Sequence, residues 1–122
     1  MAFDLVHEDG VLLVAYAGVI TVDERTRALT AAFASTPPTE RRRVLVDFRN
    51  ATATPPALDF ETTKRFVDLL AKETKGGSAR IAYLTDFELP IDRCIEMLIE
   101  SRRLPVRRFT DKDAAMAWLR EA

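Results

Sequence analysis

The chain has 122 residues, with 18 Lys and Arg against 19 Asp and Glu and a formal net charge of −1. This length suits one domain over residues 1–122, and the balanced charge argues against nucleic acid as a partner. One cysteine and one histidine leave few residues for a disulfide, a transition-metal site or a nucleophile with its base. Because no apolar run approaches about 20 residues and no signal pattern opens the chain, we expect a cytoplasmic protein without membrane insertion.

Two apolar stretches at the amino terminus, residues 3–8 and 11–17, flank the dipeptide Asp9-Gly10. Asp-Gly suits the positive φ angles of a tight type I′ turn, so this segment predicts a β-hairpin. The second stretch is apolar at successive positions, which is typical of a strand covered on both faces by helices.

A first helix is predicted after this hairpin. Thr21 and Glu24 have the spacing of a capping box, in which each side chain accepts a hydrogen bond from the other residue's backbone N–H. Helical apolar spacing then continues until Pro37-Pro38, which cannot extend a helix. We therefore expect a helix from about Val22 to Ser35.

The segment Val44–Phe48 is apolar except for Asp47 and predicts the central strand. Residues 49–56 are polar and proline-rich, so we expect a long loop there. A second helix should begin near residues 57–59 and end at about Thr74. Its predicted buried stripe is Phe60, Thr63, Phe66, Val67, Leu70 and Ala71.

Two further strand and helix pairs complete the pattern. Residues 79–84 predict a strand, and the third helix carries the clearest helical apolar repeat of the chain, with Arg102 and Arg103 in its last turn. Residues 106–109 predict an edge strand, and residues 110–113 predict the cap of a fourth helix. The apolar repeat of the third helix is Ile91, Cys94, Ile95, Leu98 and Ile99. We interpret Cys94 as a core residue. The predicted inner side of the fourth helix is Ala114, Ala115, Trp118 and Leu119.

The element order is thus β-β-α-β-α-β-α-β-α, which predicts an α/β fold. Right-handed crossovers between successive strands give a mostly parallel sheet with one antiparallel strand from the hairpin. The order leaves open whether the sandwich has two layers or three.

The hairpin around Asp9-Gly10, the exit at Gly18, the segment Val44–Asp47 and the closing residues 106–119 resemble the SpoIIAA-like branch of STAS domains, the anti-sigma-factor-antagonist-like proteins. The resemblance implies a STAS-like sandwich and a non-enzymatic regulatory module with a protein partner or a homodimer, without a cofactor or a metal. These domains are also grouped with the Sec14 lipid-carrier fold. That kinship implies an alternative, a carrier or sensor of a small apolar or nucleotide-like ligand.

In the anti-sigma-factor antagonists that this chain resembles, a strand-end Asp is followed by a loop and a motif such as Asp-Ser-Ser-Gly. The serine lies at a helix start and accepts phosphate from a partner kinase. Asp47 matches the strand-end acid, but residues 55–58, Pro-Pro-Ala-Leu, replace the motif. The resemblance therefore implies a loss of the usual switch. Thr52 and Thr54 are the nearest hydroxyls and hence the candidate phosphoacceptors; alternatively, they bond locally to the backbone.

Ligands in open α/β sheets bind beyond the carboxyl ends of the strands, so polar residues there form a candidate ligand or partner site. The alternative is that these groups cap helices. Three apolar residues fall off the predicted buried stripes and mark a candidate partner or self-association surface. The candidate site is Asp47, Arg49, Asn50, Thr52, Thr54, Thr85 and Asp86, with Thr110 and Asp111 after the last strand; the candidate surface is Leu69, Met97 and Met116.

Overall fold

The computed structural model describes residues 3–36, 42–85 and 93–121. Five strands form one sheet whose spatial order follows the chain. The first pair is antiparallel and the other three pairs are parallel, as the element order predicted. The strands are β1 (Phe3–Glu8), β2 (Val11–Val19), β3 (Arg42–Ala53), β4 (Ala79–Leu84) and β5 (Val106–Phe109).

Four α-helices lie in the described residues, in the predicted order relative to the strands. They are α1 (Val22–Ala34), α2 (Phe60–Thr74), α3 (Arg93–Ser101) and α4 (Lys112–Arg120). The capping box at Thr21 is present. Arg102 and Arg103 follow α3 instead of forming its last turn, because the positive φ of 52° at Arg103 is incompatible with a right-handed helix.

The helices cover the two faces of the sheet unequally. One hydrophobic cluster joins Val44, Val46 and Phe48 to residues of α1, α2 and α3, while Leu45 belongs to a second cluster with α4. Alternate strand residues point to opposite faces, so the sandwich has three layers. Sequential strand order with crossovers of one hand explains why the three connecting helices share a face.

The β1–β2 hairpin has the predicted turn. Asp9 and Gly10 both have positive φ, 51° and 78°, and Glu8 pairs with Val11 across the turn. Positive φ at both central residues is the requirement of a type I′ turn.

The predicted loop after Phe48 is wrong over most of its length, because β3 continues to Ala53. The register between β2 and β3 shifts twice, so that Ala15 pairs with Asp47 but Ala17 pairs with Asn50. Each shift inserts an extra β3 residue, which is a β-bulge. The end of β3 has a polar composition because it projects past β4 and is solvated. This composition is the reason that the end was predicted to be a loop.

Several burial predictions for helices also need correction. Phe60 and Cys94 are both exposed, since the buried residues of α2 begin at Thr63 and those of α3 are Ile95 and Ile99. Met116 is buried, since the inner face of α4 is centred on Ala115, Met116 and Leu119, and it leaves Ala114 exposed. Pro37-Pro38, Asp86 and Ile91, all used above, lie outside the described residues.

Candidate functional site

Asp47 and Arg49 form one local structure at the first bulge of β3. The backbone N–H of Arg49 donates to Asp47 Oδ1 over 2.9 Å. The Arg49 guanidinium also donates to both carboxylate oxygens, with Nε to Oδ1 at 3.1 Å and Nη2 to Oδ2 at 2.9 Å. A bulge disrupts the ladder locally, and here the carboxylate of Asp47, which lies within β3 and not at its end as predicted, accepts the N–H at that point. Asp47 thus holds the backbone of the bulge.

The other candidate residues of β3 differ in exposure. Asn50 is exposed and pairs with Ala17 in the ladder. Thr52 is exposed at the second register shift, whereas Thr54 is only 7% exposed. A kinase could therefore reach Thr52 directly but would need a local opening to reach Thr54.

Thr85 lies in a different network, at the carboxyl end of β4. Its hydroxyl accepts a hydrogen bond from Arg108 Nε at 3.0 Å, and Arg108 Nη1 lies 3.8 Å from Glu96 Oε2. The Tyr83 hydroxyl donates to the same Glu96 oxygen over 2.7 Å. Burial first, and then this contact with a carboxylate, raise the pKa of Tyr83 well above its usual range. The network fastens α3 to β4 and β5.

The sheet separates these two groups of candidate residues. Asp47 is in register with Leu84, which belongs to the cluster on the α4 face. Thr85 follows Leu84 and joins the network with Glu96 of α3, on the opposite face. The carboxyl edge therefore presents two polar groups that do not converge, and Asp86 lies outside the described residues. Asp111 caps α4 through the Ala114 N–H, as the helix-cap alternative predicts.

The start of α2 is a surface that the sequence analysis did not identify. Asp59 is the N-cap, and its Oδ1 accepts hydrogen bonds from the Thr62 backbone N–H at 2.8 Å and the Thr62 hydroxyl at 2.9 Å. The backbone hydrogen bond and then the hydroxyl lower the pKa of Asp59. Leu58 and Phe60 flank the cap with relative exposures of 106% and 58%. Two large apolar side chains thus project into solvent on either side of a hydrogen-bonded cap.

Of the residues predicted as a partner surface, Met97 on α3 is 66% exposed. Leu69 is half-buried and packs against the core. Met116 is part of the α4-side core. Only Met97 presents its side chain mainly to solvent.

Arg25 of α1 is buried against the core, and the sequence analysis did not identify it. The guanidinium of Arg25 lies 5.2 Å from the ring centroid of Phe48 and 4.7 Å from that of Phe66. These distances are within the range of cation–π contact. The signal was present, since Arg25 is three residues after Val22 and four before Leu29, both on the buried face of α1. The helical spacing of Arg25, and not its charge, indicates that it is buried.

Arg25 also lines a cavity of about 20 Å³ between the sheet and the helices, together with Tyr16 and Tyr83. A volume of this size has room for about one water molecule. Burial raises the pKa of the Tyr16 hydroxyl, while the nearby charge of Arg25 acts in the opposite direction.

Among residues 3–36, 42–85 and 93–121, no group of three or more His, Cys, Asp or Glu is arranged to hold a metal ion. Within the same ranges, none of the helices has the length and apolar composition needed to cross a membrane.

No protein-family model matches the sequence. No curated protein matches it either. Among solved structures, the fold is similar to that of an anti-sigma factor antagonist from Mycobacterium paratuberculosis, with a TM-score of 0.64 and 16% identity over 98% of this chain and 93% of the other. It is also similar to an uncharacterised protein with a SpoIIAA-like fold from Shewanella loihica, with a TM-score of 0.54 and 18% identity over 97% and 92%. The chain therefore has a SpoIIAA-like fold, which confirms the fold inferred from the sequence resemblance.

Proposed function

We propose that this chain is a non-enzymatic regulatory module that acts by binding another protein. The fold it shares with an anti-sigma factor antagonist supports this proposal. We assign no catalytic residue and no cofactor. The cytoplasmic location expected from the sequence stays a prediction.

The observation that carries the proposal is the exposure of Leu58 and Phe60 at the start of α2. Adjacent large apolar side chains on a surface favour a protein contact, because burying them against a partner removes apolar area from water. In the anti-sigma-factor antagonists that this chain resembles, the start of the corresponding helix carries the serine that a partner kinase phosphorylates. The resemblance implies that the apolar pair lies in the corresponding region of this chain.

We further propose that contact at this surface is regulated without the usual phosphoserine. Pro55 and Pro56 stand where the phosphorylatable motif is expected. Thr62 is at the helix start, but its hydroxyl already donates to Asp59. Thr52 remains the more accessible candidate phosphoacceptor, and Thr54 is buried. Phosphopeptide mapping of protein purified from its natural host tests this point, and stoichiometric phosphate on either threonine would contradict the loss of the switch.

The alternative of a carrier that encloses a small molecule between the sheet and its helices has little support from the packing. The cavity of about 20 Å³ beside Arg25 is far smaller than the roughly 300 Å³ of an ordinary ligand site. A carrier would have to open its core to load. Native mass spectrometry of freshly purified protein distinguishes the two functions: we expect bare chain, and a stoichiometric small molecule lost on denaturation would favour the carrier.

Site-specific photocrosslinking tests the protein contact itself. A benzophenone amino acid at position 58 should give one defined protein adduct in the natural host. Addition of Phe60→Ser should remove the adduct, because it halves the apolar contact. The matched control carries the crosslinker at Lys72, an exposed residue further along α2. Equal crosslinking at both positions, or no adduct at 58, would refute the proposed surface.

A further inference from the structure

The sheet formed by the described residues has two edge strands, β1 and β5, which differ in how they are protected. β5 has four residues, follows Pro105 and carries the exposed Arg107 and Arg108. Short length, proline and positive charge are the features by which natural proteins prevent an edge from pairing with another strand. β1 has six residues without proline or lysine, and it pairs with β2 without a register shift. β1 is therefore the longer, more regular and less protected edge.

The outer side of β1 presents backbone groups that another strand can bind. In an antiparallel pair, every second residue directs its N–H and C=O toward the neighbouring strand, and the residues between direct theirs outward. In β-strand addition, an extended segment binds such outward groups. Its main-chain hydrogen bonds supply affinity, and its alternate side chains supply specificity. The side chains of β1 therefore indicate which kind of segment fits.

One face of β1 is apolar at its centre and is not covered by α4. The buried cluster under α4 contains Leu45 of β3 and Ala82 of β4, but only Val11 from β2. A helix is about 10–12 Å wide, and β1 lies two strand spacings, about 10 Å, beyond β3. Val6 is accordingly 55% exposed, and it is in register with the half-buried Leu13 of β2. An apolar side chain opposite Val6 would extend this strip and bury it.

The charges on the same face favour a basic segment. Asp4 and Glu8 lie two residues on either side of Val6, and both are exposed. Glu8 Oε2 lies 3.3 Å from Lys112 Nζ, whereas Asp4 forms no ion pair with any residue that the structure describes. Opposite charges on directly opposed strand residues are favourable, and like charges are unfavourable. Lys or Arg opposite Asp4 is therefore the complementary residue.

The same charges argue against a second copy of this chain at the edge. If two β1 strands pair antiparallel about Val6, Asp4 of each copy lies opposite Glu8 of the other. This register places two acids together twice, because a two-fold axis repeats each contact.

We propose that β1 is a docking edge for an extended segment of a partner protein, which adds to the sheet as a further strand. The segment has a β-branched apolar residue opposite Val6 and, two positions away, a Lys or Arg opposite Asp4. This contact goes beyond the proposed function, because it uses neither Leu58 nor Phe60.

Titration of isotope-labelled protein with a synthetic peptide, Thr-Lys-Thr-Val-Thr-Lys-Thr, tests the docking edge by amide NMR. The peptide reads the same in both directions, so it fits a parallel or an antiparallel strand. We expect the amide signals of β1 to shift and the hydrogen exchange of its outward amides to slow. A matched peptide with Glu in place of both Lys residues should bind at least about fivefold more weakly.

A charge reversal in the protein tests the role of Asp4. Asp4→Lys should reverse the preference, so that the Glu peptide binds more tightly than the Lys peptide. Glu100→Lys is the matched control, because it makes the same charge change at an exposed residue of α3. It should leave the preference for the Lys peptide unchanged. The amide spectrum reports whether each variant is folded, and if Asp4→Lys is not, the two peptides still decide the question on the wild type.

Three results would overturn the proposal: no change in β1 at millimolar peptide, equal affinity for the two peptides, or an unchanged preference in folded Asp4→Lys. Shifts of β1 that depend on protein concentration alone would assign the edge to a second copy instead. None of these results affects the adduct at position 58, so the proposed function would stand. Loss of that adduct would likewise leave the peptide contact at β1 intact.

Discussion

Helices α1 and α2 begin with the same local arrangement but bury it differently. Thr21 accepts the Glu24 N–H at 3.2 Å, and Asp59 accepts the Thr62 N–H at 2.8 Å. Each cap stands between two large apolar residues. At α1 these are Ile20 and Val22, which are buried, whereas at α2 they are Leu58 and Phe60, which are exposed.

A cap therefore determines where a helix begins, but it does not determine whether the adjacent residues are buried. Their burial depends on the rest of the fold. Ile20 continues β2, since its N–H donates to the carbonyl of Ala53 over 2.9 Å, and so it enters the core. Leu58 follows the projecting end of β3, beyond the described strands that could cover it. The apolar pair at α1 therefore stabilises the fold, while the pair at α2 is available for binding.

The largest predicted effect on stability concerns the buried apolar pair at the start of α1. Ile20→Ala should lower the free energy of unfolding by about 3 kcal/mol, because it removes a fully buried side chain and leaves a cavity. Urea denaturation followed by circular dichroism measures the change. A loss no larger than that of Leu58→Ala would contradict the comparison.

Arg25 connects the two helices, because it lies on α1 and contacts Phe66 of α2. Arg25→Met keeps much of the apolar stem but removes the guanidinium from between two rings, and it should cost about 2 kcal/mol. Arg25→Lys is the matched variant that keeps the charge without the planar group. If Arg25→Met were as stable as the wild type in urea, the ring contacts would contribute nothing.

The Asp59 cap should make stability depend on pH in a defined direction. Its pKa is lowered in the folded state, so its contribution is complete above the unfolded value of about 4 and is lost as the pH falls through the folded value. Asp59→Asn keeps a capping side chain without a titrating group. We expect the urea midpoints of wild type and Asp59→Asn to differ at neutral pH and to converge in acid. A difference that grows below pH 4 would contradict this sign.

The smallest predicted effect on stability is that of the double variant Leu58→Ser/Phe60→Ser. Surface substitutions usually change the free energy of unfolding by about 0.5 kcal/mol or less, and we expect a total within about 1 kcal/mol. Marked destabilisation would mean that the pair supports the fold and would weaken its assignment as a binding surface.

Much of the fold could be predicted because it depends on local patterns in the sequence. The Asp9-Gly10 turn, the Thr21 capping box and the strand of residues 79–84 depend on neighbours in sequence, and all three are confirmed. The length of β3 could not be read in the same way. Its polar end is a strand only because β2 supplies a partner and two bulges absorb the extra residues.

The candidate site shows the same division. Asp47 was identified as a strand-end acid, but only the tertiary structure showed that its carboxylate is engaged by Arg49 at a bulge. It also showed that Thr85 belongs to a network on the other face of the sheet. Two polar residues can both lie at the carboxyl ends of adjacent strands and still point to opposite faces of the sheet, because side chains alternate along each strand.

The sequence by itself determined the order of the elements, the parallel sheet and where α1, α2 and α4 begin, because turns, caps and apolar periodicity act within a few residues. The tertiary structure decided which apolar residues are buried. Phe60 and Cys94 lie on patterns that predict burial and are exposed, whereas Met116 is buried against prediction. Arg25, for which the sequence analysis made no prediction, is also buried. Burial depends on which other elements lie against a side chain, and that is set by the packing of the whole chain.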